Sequence, residues 1–202
     1  MRFLVLGGTG PCGIHLIRQL LSHYPSSTIV IYARSPHKLP AELSDASNPA
    51  LVIIKGDLTD KDAVERALEG VDVVLSALGP ALGQPKDTPL AKGYELVIDS
   101  MHKYGVKRLI ALGTTSIVDP ADKFSLAYFS MINGVKIGAR SAYDDIVAIG
   151  DAIRTKGRDL DWTIVRVPIL TNSDSTAVVA GYVGDEIENR QWVKKAPLIT
   201  ST

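Results

Sequence analysis

Gly7, Gly10 and Gly13 recur at every third residue in the stretch Leu6-Gly7-Gly8-Thr9-Gly10-Pro11-Cys12-Gly13. The chemistry that such a spacing serves is phosphate binding. A helix that begins at the end of the stretch has unpaired amides and a partial positive charge at its start, and both draw an anion. The first glycine permits the turn, the second lets backbone approach a diphosphate, and the third lets the helix pack on the strand. A strand must therefore deliver the chain to the turn, and a helix must leave it. Residues 3–6 are an apolar run and residues 13–24 follow an amphipathic helical pattern, so the order is right. The reading is a dinucleotide site with Thr9, Pro11 and Cys12 on the same loop; the plainer alternative is a glycine-rich turn without a ligand.

The second apolar run, residues 28–33, ends in Ala33-Arg34-Ser35, with Lys38 beyond, and no carboxylate stands between Thr28 and Ala41. NAD-binding chains place an acid here on the ribose 2′-hydroxyl, whereas an arginine accommodates a 2′-phosphate. The expectation is NADP(H) in preference to NAD(H), against the alternative of an ordinary solvated arginine. Gly56-Asp57-Leu58 follows the third run. Asp57 is a candidate contact for the adenine and equally a plain turn residue. The fourth run closes on Ser76-Ala77-Leu78-Gly79, whose small residues permit close approach to the nicotinamide ribose.

The elements that must hold these positions alternate along the chain. Short apolar runs at 3–6, 28–33, 51–56, 72–76, 108–112 and 162–166 suit strands buried on both faces of a parallel sheet. Helical patterns lie at 13–24, 61–69, 89–104 and 137–156, with a short one at 41–45. The predicted fold is α/β, a doubly wound parallel sheet of Rossmann-like type in a single domain of 202 residues. Residues 79–89 hold three prolines and two glycines and read as a loop beside the ligand crevice. The 22 basic and 22 acidic residues balance, which argues against a nucleic-acid surface or a membrane-attracted face. No apolar run is long enough to span a bilayer. One cysteine precludes an internal disulfide and suits a reducing compartment, so the expected location is cytoplasmic. The histidines, cysteine and carboxylates show no metal-ligand spacing, and Asp144-Asp145 reads as a solvated helix face. Cys12 near a helix start is a candidate for a depressed thiol pKa, with a small loop-filling residue as the alternative.

The segments LVLGGTGPCG, YARSPHKLP, KGDLTD, VDVVLSALGP, GVKRLIALGTTS and LDWTIVRVPIL cover nearly all of residues 1–170. In this order they resemble an atypical short-chain dehydrogenase/reductase of the NAD(P)H-binding, NmrA-like group that includes flavin reductase/biliverdin reductase B-like proteins. The resemblance implies a Rossmann-like fold, a preference for NADPH, and either reduction of a small molecule or cofactor sensing without turnover. It places a hydroxyl from Thr114, Thr115 or Ser116 near the cofactor; a turn whose hydroxyls serve their own backbone is the alternative. Tyr128 and Tyr143 are candidate weak acids or pocket walls, and Pro168 with Ile169 a candidate pocket floor. No tyrosine has a lysine four residues on, so the superfamily's Tyr-x-x-x-Lys pair is missing. The segment around 182–190 looks shortened by about one helix relative to the resemblance, which would make 171–202 a reduced capping region and leave apolar surface for self-association. The function expected is an NADPH-dependent reductase of a small carbonyl, quinone or flavin-like acceptor; the alternative is a non-catalytic redox-sensing regulator acting through a protein interface.

Overall fold

Strands rich in Val, Ile and Leu need cover on both sides, and the fold supplies it. In a computed structural model that describes residues 1–45, 47–81, 83–167 and 173–199, six strands form one sheet: β1 (Arg2–Leu6), β2 (Thr28–Ala33), β3 (Leu51–Lys55), β4 (Val73–Ser76), β5 (Arg108–Thr114) and β6 (Asp161–Val167). Their order is β3-β2-β1-β4-β5-β6 and every pairing is parallel. This is the predicted doubly wound Rossmann-like sheet. Successive side chains point to opposite faces. Leu4 and Leu6 therefore enter the core beneath α3 (Lys61–Leu68), α4 (Pro89–Tyr104) and α6 (Arg140–Thr155), while Phe3 and Val5 enter the core beneath α1 (Pro11–His23) and α7 (Ser173–Asn189). A single turn of helix, α2 (Ala41–Ser44), lies where a short one was expected.

The chain order reverses between β1 and β4, and register fixes what meets there. Leu6 lies opposite both Tyr32 and Ser76, so the loops after β1, β2 and β4 leave from one rim. A reversal of this kind opens a crevice at the carboxyl ends of the strands.

Two elements differ from expectation. The stretch predicted as one helix over 137–156 is the end of α5 (Leu126–Gly138) and the whole of α6, broken at Ala139, whose φ of −139° and ψ of 53° are not helical. The amino-terminal part of α5 lies before the predicted stretch. Its apolar residues surround the helix instead of forming a stripe, and none of them is buried. Phe124, Leu126, Phe129 and Ile137 are exposed on α5 or its approach. Near the carboxyl end, residues 173–189 form one continuous helix, α7, and apolar side chains there are buried: Val179, Ala180, Val183 and Ile187. On α7, Glu186 accepts from the Arg108 guanidinium at 2.7 Å, with both side chains almost fully buried. The amides of Gln191 and Trp192 donate to the same carboxylate. Two isolated parallel bridges, Thr163 with Lys195 and Arg166 with Leu198, then tie the tail to β6.

Candidate functional site

Gly7 adopts a φ of +76°, and a Cβ there would stand 2.8 Å from the Ala77 carbonyl, so the turn after β1 admits only glycine. A Cβ on Gly13 would stand 2.3 Å from the Gly7 carbonyl oxygen. Gly13 thus lets the start of α1 fold back on the turn itself, a closer approach than the helix-on-strand packing expected. Gly10 is different. Its φ is negative, and the sole neighbour of an added Cβ would be the Gly7 oxygen at an ordinary 3.5 Å. The protein's own packing does not demand glycine there. Gly10 caps α1 without a side-chain hydrogen bond, Pro11 has no N–H, and no acidic residue lies in the first turn. The amides of Cys12 and Gly13 fall in that first turn, where no helical carbonyl stands behind them. A helix start of this kind offers free amides to an anion. Burial pushes the Cys12 thiol above its ordinary value, the opposite of the depression considered from its place near a helix start.

A cavity of about 410 Å³ opens beside this turn. Its walls include Gly7, Thr9, Arg34, Ser35, Lys38, Asp57, Leu58, Leu78 and Gly79, nine of the expected cofactor residues. Gly10 and Ala77, in the turns after β1 and β4, and Pro11, Cys12 and Gly13, at the start of α1, are expected cofactor residues that do not line it. Pro168 lies outside the described residues. Arg34 and Lys38 are exposed at the rim after β2 and make no ion pair among the described residues. Asp57 serves two ends: its carboxylate accepts from the Thr59 amide and hydroxyl at 3.1 and 3.0 Å, a turn of its own, while the residue lines the cavity. Tyr32, also in the wall, donates to the Asp57 carbonyl at 2.6 Å, and burial pushes its phenol up to about 12.

A second cavity of about 140 Å³ lies at the end of β5. Thr114, Thr115 and Ser116 meet there, facing Met131, Ile132 and Val135 of α5 and Ala142 and Ile146 of α6. The Thr114 hydroxyl accepts from the Ser116 amide at 3.2 Å, a turn serving its own backbone. Thr115 and Ser116 are buried, and their hydroxyls have no hydrogen-bond partner among the described residues. Among the described residues the walls contain no His, Asp, Glu, Lys, Tyr or Cys. Tyr128 lines neither cavity: the contribution of α5 begins one turn later, at Met131. Tyr143 lines neither as well, and the Lys136 ammonium lies 5.6 Å from its ring centre.

Asp145 departs from the expected solvated face, since only Asp144 fits it, paired with Arg140 at the surface. Asp145 is fully buried, and its carboxylate accepts from the amides of Leu90 and Ala91 at 3.1 and 2.9 Å, at the start of α4. Five contributors that were not singled out, Ala81, Gln84, Pro85, Pro89 and Leu90, line the larger cavity, and they belong to the proline-rich segment already placed beside the crevice or its junction with α4. The α5 wall went unseen because α5 itself did.

Comparisons with known proteins give the family and the fold. A family profile described as NAD(P)H-binding matches residues 7–196. An isoflavone reductase homolog of Zea mays is 31% identical over 70% of this chain and 43% of its own. A UDP-N-acetylglucosamine 4,6-dehydratase of Campylobacter jejuni is 30% identical over 60% of this chain and 38% of its own. The chain thus spans less than half the length of these curated relatives. Among solved structures, a wide-type short-chain dehydrogenase/reductase from Veillonella parvula in complex with NADP superposes with a TM-score of 0.80 at 16% identity, covering 99% of this chain and 94% of that one. The anaerobillin reductase ChuY of Escherichia coli O157:H7 covers both chains completely, with a TM-score of 0.69 at 15% identity. No described helix is long and apolar enough to cross a membrane. The chain belongs to the NAD(P)H-binding family, on the fold of the short-chain dehydrogenase/reductase that it superposes on.

Proposed function

We propose that this protein is an NADPH-dependent reductase of a small, flat acceptor of the quinone, flavin or conjugated carbonyl class. The observation that carries the reading is a pair of cavities on either side of the segment after β4: one with an exposed arginine that makes no ion pair among the described residues, the other apolar with the Thr115 and Ser116 hydroxyls, unpartnered among the described residues, in its wall. The names of two similar proteins, an isoflavone reductase homolog and an anaerobillin reductase, support the reductive direction. When bound, the dinucleotide supplies a hydride. The amides at the start of α1 hold its diphosphate, and Arg34 pairs with a 2′-phosphate that a carboxylate would repel. In the smaller cavity the hydroxyls of Thr115 and Ser116 donate to an acceptor oxygen, and the apolar side chains of α5 and α6 pack against the rest of it. No side chain in those walls is a general acid. The arrangement therefore suits acceptors that delocalise the incoming charge and take their proton from solvent.

The same lack of an acid, together with the missing Tyr-x-x-x-Lys pair, favours a second reading as a cofactor-sensing regulator. The test is NADPH oxidation against a panel of quinones and flavins, repeated with NADH and with Arg34→Ala. Turnover with NADPH, weakened about tenfold for that cofactor alone by Arg34→Ala, is expected. Tight NADPH binding without turnover would favour the sensor, and equal use of NADH would remove the cofactor preference.

A further inference from the structure

The segment after β4 separates the two cavities. Gly79, Ala81, Gln84 and Pro85 face the larger one and Pro80 faces the smaller. Among described residues 81–87, every one is exposed except Gln84, so this side chain is the inward anchor. Its amide nitrogen donates to Asp145 at 2.6 Å and to the Ser141 carbonyl at 3.4 Å, and its amide oxygen accepts from the Ala81 N–H at 3.1 Å. Gln84 thus has both ends of its amide engaged, one holding the turn and the other reaching α6. Asp145 is a rigid receiver, because the Leu90 and Ala91 amides already fix its carboxylate.

We infer that Gln84 is a positioning residue for the bound dinucleotide, latching the segment before α4 over the cofactor cavity through Asp145. The inference rests on the nucleotide reading of that cavity. Its chemistry is a charge-assisted hydrogen bond, about twice as strong as one between neutral groups. The receiving helix matters as well. Ser141 and Asp145 hold the latch, while Ala142 and Ile146, their neighbours on α6, wall the acceptor cavity. A filled acceptor cavity that steadies this end of α6 also steadies the latch, so acceptor occupancy slows nucleotide release. By linkage, whatever factor the acceptor adds to nucleotide affinity at equilibrium, nucleotide adds to acceptor affinity.

The experiment is stopped-flow measurement of NADPH dissociation from the whole protein, with and without saturating oxidised quinone analogue that cannot accept hydride. Two variants are compared. Gln84→Ala removes the latch, and Gln84→Glu keeps its size but places a carboxylate against Asp145. Both are expected to raise the dissociation rate about tenfold, the loss of one hydrogen bond to a charged group. Both are also expected to abolish the slowing by the analogue, and to lower the unfolding temperature of the nucleotide-free protein by about 3–6 °C, the worth of that one hydrogen bond in a chain of this length. If Gln84 merely fills space, Gln84→Glu behaves as wild type, and that result overturns the inference. Unchanged dissociation in both variants overturns it too, as does a fall in nucleotide-free stability without a change in release. Wild-type protein that binds no NADPH would instead refute the nucleotide site itself.

Discussion

Replacing Gly10 by alanine separates what the fold needs from what a ligand needs. The added methyl meets one protein atom, the Gly7 oxygen at 3.5 Å, and the backbone angles at Gly10, −86° and 163°, are ones that alanine adopts freely. Alanine is a poorer helix cap than glycine, by about 0.5 kcal/mol, but it restricts the unfolded chain by a similar amount. The unfolding temperature without nucleotide should therefore stay within about 2 °C of wild type. Binding responds differently, because the methyl stands where the diphosphate would approach. One methyl forced into a close contact costs about 2 kcal/mol, or roughly 30-fold in affinity. With NADPH at 100 times the wild-type Kd, wild type gains about 2.7 kcal/mol. For a chain of this length that is a rise of about 5–10 °C. The variant retains about 0.9 kcal/mol, a rise of about 2–3 °C. Thermal unfolding with and without NADPH, alongside calorimetric titration, reads both quantities. Gly13→Ala is the contrast, since its Cβ would stand 2.3 Å from the Gly7 oxygen and it should unfold early even without nucleotide. A Gly10→Ala protein that binds NADPH as wild type does would refute the reasoning, because the diphosphate site would then lie elsewhere.

Two further outcomes concern the charged groups of the fold. Glu186→Ala leaves the buried Arg108 guanidinium without its carboxylate and should cost about 3–5 kcal/mol in urea unfolding; a loss under about 1 kcal/mol would show the pair to be solvated in practice. The Arg166 guanidinium beside Asp122 holds that carboxyl below its ordinary 3.8. A depressed folded-state pKa contributes stability that is complete above the unfolded value and is lost as pH falls through the folded one. Asp122→Asn should therefore differ most from wild type above about pH 5 and converge with it on acidification below about pH 4. A stability difference that does not shrink in acid would rule out this source.

The strands were legible because each is a continuous apolar run, and only a sheet covered on both faces requires that. The glycine turn was legible because Gly7 and Gly13 are held by contacts a side chain would destroy. Arg34 was legible as a rim residue because it follows directly on β2. What escaped was decided by distant parts of the chain. Asp145 is buried by the start of α4, 54 and 55 residues away in sequence, and a local pattern that places it beside solvated Asp144 cannot show this. Helix α5 escaped because Leu126–Gly138 combines Phe, Ser, Asn and Gly with apolar residues on every side, so neither propensity nor periodicity marks it. Its loss carried away the Met131, Ile132 and Val135 wall and left Tyr128 one turn short of the cavity it was expected to enter.

The ion pair between Arg108 and Glu186 joins positions 78 residues apart. During synthesis the chain emerges from its amino end, so the nucleotide half of the sheet is exposed well before Glu186 has been made. Until then β5 carries a cation that hydrocarbon cannot cover cheaply. The edge formed by β5 and β6 must wait, wet and open, for the last helix to arrive. A nascent chain stalled short of Glu186 is the form most exposed to proteases and to wrong partners.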